Sequence, residues 1–135
     1  MALQLSTTVR NAMADAFESS INTAGDAVLT IRTGAVPANC AAANSGTLLA
    51  TIDVPADWLG AASNGAKALA GSWTTTAAAT GTAAHFRIMV GATCHAQGTV
   101  TATGGGGDLT LNTTSISAVG QQVTVTTFTL TMTGA

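Results

Sequence analysis

Threonine and small polar residues alternate with apolar residues along much of the C-terminal two-thirds of this chain. In the segment at 27–33, for example, Leu29 and Ile31 fall on one face while Thr30 and Arg32 fall on the other. A period of two places successive side chains on opposite faces of a β-strand. The alternation therefore predicts that most of the chain folds as β-sheet.

Residues 5–22 break this pattern, because their apolar residues recur every four positions. This spacing predicts one amphipathic helix at about 6–22, with Ser6 or Thr7 as its N-terminal cap. We expect the apolar stripe to pack against the domain's own sheet, and a partner-binding face is the alternative. The stripe consists of Val9, Met13, Phe17 and Ile21.

The last strand changes its parity part-way along. Val123 and Val125 occupy odd positions, whereas Phe128 and Leu130 occupy even ones, and the change falls at Thr126–Thr127. A one-residue slip exchanges the two faces of a strand, so a β-bulge is predicted there. Bulges of this kind are usual at the corners of sandwiches.

Together these patterns predict a mainly β fold in a single domain spanning residues 1–135. An N-terminal helix is followed by roughly seven antiparallel strands, which form a β-sandwich at about 26–133. A jelly roll is the leading topology.

Three segments are predicted to be loops. Residues 34–46 and 74–83 are long, low in charge and rich in Ala, and we expect neighbouring molecules to be needed to order them. Gly104–Asp108 precedes an alternating strand rather than a helix, which excludes a phosphate-binding loop and predicts a hairpin turn.

The two cysteines, Cys40 and Cys94, lack the paired short spacing of a zinc site. Two buried free thiols are the favoured interpretation. A disulfide is the alternative, expected only in a particle that ends up outside a cell.

Charge is scarce, since only 7% of the residues are Asp, Glu, Lys or Arg, against about 25% in average proteins. The net charge is −2, and the four cationic residues are scattered at Arg10, Arg32, Lys67 and Arg87. Binding of nucleic acid needs clustered cations, so it is not expected. No apolar run reaches the ~18 residues of a membrane span, and the N-terminus does not resemble a secretory signal.

Candidate chemistry is weak. His85 and His95 have no carboxylate nearby in sequence, and Asp53 and Asp57 offer only two oxygen-bearing side chains for a calcium site that would need several. We therefore predict no catalytic, metal or cofactor-binding residues, no cofactor, and a protein that is not an enzyme.

Four segments resemble small virion structural proteins of tailed bacteriophages. These are LSTTVRNAMADAFESSI (5–21), IRTGAVPANC (31–40), TGTAAHFRI (80–88) and CHAQGTVTATGGGGDLTL (94–111). The resemblance implies a capsid decoration (cement) protein, a β-sandwich that stabilises the head by bridging major capsid subunits. Its expected location is the virion, after assembly in the host cytoplasm.

The same resemblance is compatible with a tail, neck or tail-tip/fibre component, including a carbohydrate- or receptor-binding module. Sugar binding would need exposed aromatic side chains, for which Trp58 and Trp73 are the large candidates. A small hydrolase using His85 or His95 is the third class. The low charge also predicts self-association into a dimer or trimer, with the major capsid protein or another virion protein as further partner.

Overall fold

The structure, a computed structural model, describes residues 2–22 and 24–135. Within these residues it contains one helix, α1, and ten strands. The elements are α1 (Thr7–Ile21), β1 (Ala27–Arg32), β2 (Leu48–Asp53), β3 (Ala66–Ala68), β4 (Thr74–Thr76), β5 (Gly81–Thr82), β6 (His85–Val90), β7 (Thr93–Ala102), β8 (Leu109–Leu111), β9 (Ser115–Ile116) and β10 (Gln122–Thr131).

Eight of the described strands form one sheet in the order β2-β1-β6-β7-β8-β10-β3, with β4 also pairing with β10; β5 and β9 pair separately. The sheet is curled, which brings β4 close to β2 at its other end. The N–H of Ala78, just after β4, donates to the carbonyl of Leu49 on β2 at 2.7 Å. The predicted mainly β fold with an N-terminal helix is confirmed. The jelly-roll topology stays a prediction.

The predicted bulge is confirmed on β10. Val125 pairs with Leu111 and Thr127 pairs with Thr110, so Thr126 is the extra residue. The bulge keeps Val125 and Phe128 both buried although their positions differ in parity. One strand thereby contributes to the core along its whole length.

The Gly-rich segment does not form the predicted hairpin, which is a correction. Residues 103–108 return the chain so that β8 runs parallel to β7, with Val100 opposite Leu109; the other strand pairs in the described residues are antiparallel. This return passes so close to β7 that a Cβ at Gly105 would lie 2.7 Å from the side chain of Thr101. Small residues are therefore required by close approach as well as by turning.

The segment at 74–83 also differs from its prediction. It contains β4 and β5, and β4 pairs with residues 122–124 of β10. The chain's own sheet therefore orders this backbone. The local sequence TTTAAATGT does not indicate that pairing.

Helix α1 begins as predicted, because the hydroxyl of Ser6 accepts a hydrogen bond from the N–H of Val9 at 3.3 Å. The predicted packing stripe is wrong at its N-terminal half. Val9 and Met13 are 45% and 43% exposed, whereas Ala14 and Ile21 are buried. The buried face is rotated from the predicted one, because polar contacts of Asp15 and Glu18 also fix the orientation of the helix.

Lys67 of β3 lies at the centre of these polar contacts. Its side chain is only 5% exposed, and its Nζ atom bonds Asp15 Oδ1 at 2.7 Å and also pairs with Glu18. The other oxygen of Glu18 accepts the N–H of Leu59 at 2.9 Å. Two acidic residues one turn apart on α1 thus fix the helix to β3.

All five aromatic side chains of the chain form one cluster. The ring of Trp58 lies 5.9 Å from Phe17, 5.8 Å from Trp73 and 6.4 Å from Phe128, and Phe86 meets Phe128 edge-on at 5.9 Å. Aromatic pairs at such distances attract beyond simple burial. Concentrating the few rings in one place gives the domain a core despite its high Ala content.

We expect the stability of the protein to fall at alkaline pH because of Lys67. Burial disfavours the charged form, but hydrogen bonds and negative charge from Asp15 and Glu18 outweigh this, so the pKa of Lys67 lies above its ordinary value of 10.5. A raised pKa stabilises the folded state fully below the unfolded-state pKa, and this contribution is lost as the pH rises through the folded-state pKa. The free energy of unfolding, measured in urea, should therefore decrease above pH 10.5.

The matched control is Lys67→Met, because Lys67 is the only lysine, Tyr is absent and both cysteines are paired. The variant should lose most of this alkaline decrease. An identical decrease in both proteins would contradict the role given to Lys67.

Candidate interaction surface

Both faces of β6 are buried, although its sequence alternates. Phe86 and Ile88 face the core, whereas His85, Arg87 and Met89 share the opposite face, as the alternation predicts. Residues 34–46 lie over this second face. Polar side chains on a strand are thus covered by a loop of the same chain.

Arg87 holds this loop. Its side chain is 1% exposed, and the guanidinium donates at 2.7–3.1 Å to five oxygen atoms, none of which is charged. These are Gln97 Oε1, Asn44 Oδ1 and the carbonyls of Asn39, Cys40 and Ala42. Because desolvation of a cation is costly unless its donors are satisfied, the loop conformation and the burial of Arg87 depend on each other.

Two further contacts fix the same loop to β6 and β7. Gln97 Nε2 donates to the carbonyl of Pro37 at 2.6 Å. His85 Nδ1 lies 2.9 Å from the carbonyl of Gly34, so this nitrogen carries the proton. The expectation that neighbouring molecules order residues 34–46 is therefore wrong, because buried donors of the chain's own sheet do so.

Cys40 and Cys94 form a disulfide, with Cα atoms 5.2 Å apart. The favoured interpretation of two free thiols is wrong, and the alternative is correct. The bond joins the loop to β7 across 54 residues of sequence, a proximity that spacing alone does not reveal. It closes a long loop, which is the arrangement that most restricts an unfolded chain.

The weak sequence candidates for chemistry are not brought together. His85 is enclosed between β6 and the loop, and its Nε2 is buried without a partner, whereas His95 is exposed on β7. Asp53 and Asp57 are both exposed. Among the described residues, His, Cys, Asp and Glu form no group of three that could hold a metal ion.

A groove of about 420 Å³ lies between β7 and β10, along the edge of β7 that faces away from β6. Its floor is aromatic, with the rings of Phe17, Phe86 and Phe128, and its sides are formed by residues 96–97 of β7 and 129–131 of β10. Asp108 stands at the rim. The groove lies where β8, which has only three residues, begins at Leu109, since the longer strands β7 and β10 extend past that end without a described strand between them.

The β10 side of the groove is a strand edge. The carbonyl of Phe128 accepts from Leu69 and the N–H of Met132 donates to Gly65, so even-numbered residues form the hydrogen bonds to β3 and its flanks. In an antiparallel pair the alternate residues point their backbone groups the other way. Thr129 and Thr131 therefore direct their N–H and C=O groups into the groove.

The β7 side of the groove is also a strand edge. The N–H of Val100 donates to Ala84 on the β6 side, whereas the N–H of Thr99 donates away from β6 to Asp108 Oδ2 at 2.8 Å. Odd-numbered residues thus face the groove, and Gln97 presents its backbone there while its side chain is used by Arg87 and Pro37. Two strand edges flank one aromatic floor.

Such a groove can receive an extended polypeptide that adds its own backbone to a strand edge and places apolar side chains on the floor. No local pattern in the sequence predicts this groove. The gap arises from the unequal lengths of the three strands β7, β8 and β10. Nothing in a single strand pattern indicates that inequality.

Comparison with protein-family models, with curated proteins and with solved structures found no match to this chain. Among the described residues, α1 is too short and too polar to traverse a lipid bilayer.

We expect Arg87→Lys to be strongly destabilising, because one ammonium group cannot reach the oxygens that the guanidinium binds. Buried acceptors left without donors cost about 1–3 kcal/mol each, so a loss of about 3 kcal/mol or more in the free energy of unfolding is expected. Urea denaturation under non-reducing conditions measures it.

Arg32→Lys is the matched control. Arg32 is partly exposed, and its guanidinium donates one long hydrogen bond, of 3.5 Å, to the carbonyl of Gly46. Its replacement should change stability by less than about 1 kcal/mol. Equal losses in the two variants would show that the Arg87 contacts carry no special weight.

Proposed function

We propose that this chain is a non-enzymatic structural protein of a tailed-phage virion, specifically a decoration protein that binds the head and bridges major capsid subunits. The proposal begins from the sequence resemblance. The observation that carries it is a surface with very little available positive charge, which suits packing against other proteins.

All four cationic side chains donate hydrogen bonds within their own chain. Lys67 and Arg87 are buried, as described above. Arg10 donates to the carbonyl of Asn64 at 2.9 Å, and Arg32 donates to that of Gly46. Little positive charge is left to bind phosphates, which favours a protein partner over a nucleic acid.

What remains on the surface is mostly Thr, Ser, Ala and Gly. Threonine brings a methyl group for contact and a hydroxyl group for hydrogen bonding, as in the pair between Thr74 and Thr124 at 2.9 Å. Burying such groups in an interface avoids the desolvation cost of charges. A neutral surface of this kind supports close packing among many identical subunits.

The subunit also has the compactness of a protein that folds before it assembles. Its accessible surface is 6650 Å², close to the ~6,400 Å² expected for a folded monomer of this mass. The disulfide and the caged Arg87 add rigidity without a partner. A rigid preformed subunit is suited to binding an already assembled head.

The carbohydrate-binding alternative loses its main support. Trp58 and Trp73 are both fully buried in the aromatic cluster, so neither indole is available to stack on a sugar ring. A tail, neck or tail-tip location keeps the same physical arguments as the head, and the experiment below separates them.

The test mixes the purified protein with heads and, separately, with tails of the phage that encodes it, both prepared from a strain lacking the gene. We expect saturable binding to heads, with a fixed number of copies per capsid, measured by sedimentation and quantitative gel densitometry. Decorated heads should also withstand higher temperature than bare heads before releasing DNA.

Tails serve as the internal control because they carry the same buffer components and host contaminants. Saturable binding to tails alone would move the protein to the tail. Binding to neither particle would contradict the proposed virion role.

A further inference from the structure

The exposed apolar residues of the described chain are concentrated at one end. Five large hydrophobic side chains are well exposed, and three of them, Leu3, Val9 and Met13, lie on the N-terminal arm and the first half of α1. Leu3 is 80% exposed. Leu3 is therefore accessible to a partner surface.

The arm has the composition that the groove requires. Residues 2–6 read ALQLS, which carries no charged side chain and alternates its two leucines with polar or small residues. An extended segment with this period directs Leu3 and Leu5 to one face. In the described part of the chain, the N–H of Leu5 donates to the carbonyl of Gly134 at 2.6 Å, and residues 2–4 precede this contact.

We propose that the groove between β7 and β10 binds the N-terminal arm of a second copy of this chain by strand addition. Leu3 of one copy rests on the floor of Phe17, Phe86 and Phe128 of the other. The backbone of the arm bonds the strand edge at Thr129 and Thr131. The proposal deepens the proposed function, from which it takes only the expectation that copies of the chain meet.

The geometry favours a second copy over the chain's own arm. In its own molecule the arm is tied at Leu5 to Gly134, beyond the end of β10, and it continues directly into α1 at Thr7. Occupying its own groove would require breaking that contact. Exchange between copies instead keeps it.

Reciprocal exchange gives a two-fold symmetric dimer in which each copy supplies one arm and one groove. No charged group is brought to the floor, since the arm has none and Asp108 stays at the rim with its Oδ2 occupied by Thr99. The contact is therefore driven by apolar burial and backbone hydrogen bonds. It should be only weakly sensitive to salt.

The test measures dimerisation by sedimentation equilibrium for the intact protein, Leu3→Asp and Val119→Asp. Val119 is the matched control, because it is 69% exposed but lies far along the sequence in the turn before β10. Leu3→Asp should weaken the dimer about tenfold or more, since a buried Leu side chain is worth at least a decade in affinity. Val119→Asp should leave the dimerisation constant unchanged.

A second measurement uses the acetylated, amidated peptide ALQLS as the probe. It should bind the intact protein, compete with dimerisation and fail to bind Thr129→Pro, which removes a backbone donor that faces the groove and is not used by β3. Thermal unfolding of Thr129→Pro checks that the variant is folded.

A monomeric protein whose groove does not bind the peptide would overturn the proposal, including the case in which a segment of another virion protein occupies the groove. A dimer weakened by Val119→Asp and not by Leu3→Asp would also overturn it. A strict monomer that binds heads would support the proposed function and contradict the arm exchange. An arm-dependent dimer that binds neither heads nor tails would support the arm exchange and contradict the proposed function.

Discussion

The burial of Arg87 is the interaction on which the rest of this structure depends. A guanidinium group on a sheet is normally solvated or paired with a carboxylate, because burying a cation is costly. Here five neutral oxygens replace water, and four of them belong to residues 39–44. The loop therefore has one conformation that satisfies the cation, and the sheet gains a second covered face. The disulfide between Cys40 and Cys94 holds the same loop from the neighbouring strand.

Strand β7 connects this buried face to the interaction surface. Its Gln97 receives Arg87 Nε through Oε1 and holds Pro37 through Nε2, while its backbone lines the groove. The glycine at 98 leaves room for the ring of Phe86 and the carboxylate of Asp108, each of which would lie 2.8 Å from an added Cβ. The groove is thus built on a strand that is rigid for reasons on its other side. Rigid edges of this kind lower the entropic cost of adding a strand.

Local features of the fold could be predicted from the sequence, and long-range ones could not. The Ser6 cap and the bulge at Thr126 depend on neighbouring residues, so periodicity and parity reveal them. The ion pair of Lys67 with Asp15 spans 52 residues, and the bond of Arg87 to Asn44 spans 43. No pattern along the chain encodes these partners. The same reason explains the parallel pairing of β7 with β8, the rotated helix face and the groove, which follows from the short length of β8.

The most direct test of this account is the behaviour of the Arg87 guanidinium in solution. The chain has only three arginines, so a protein labelled with ¹⁵N-arginine gives a spectrum in which each side chain can be assigned by substitution. The account predicts separate, slowly exchanging Nη signals for Arg87 that persist at neutral pH, because its donors are held by fixed oxygens and shielded from water. Arg32 is partly exposed and donates a single long hydrogen bond from its guanidinium, so its Nη signals should be averaged and exchange rapidly. Averaged Nη signals for Arg87 as well would contradict the caged guanidinium and the ordering of residues 34–46 that rests on it.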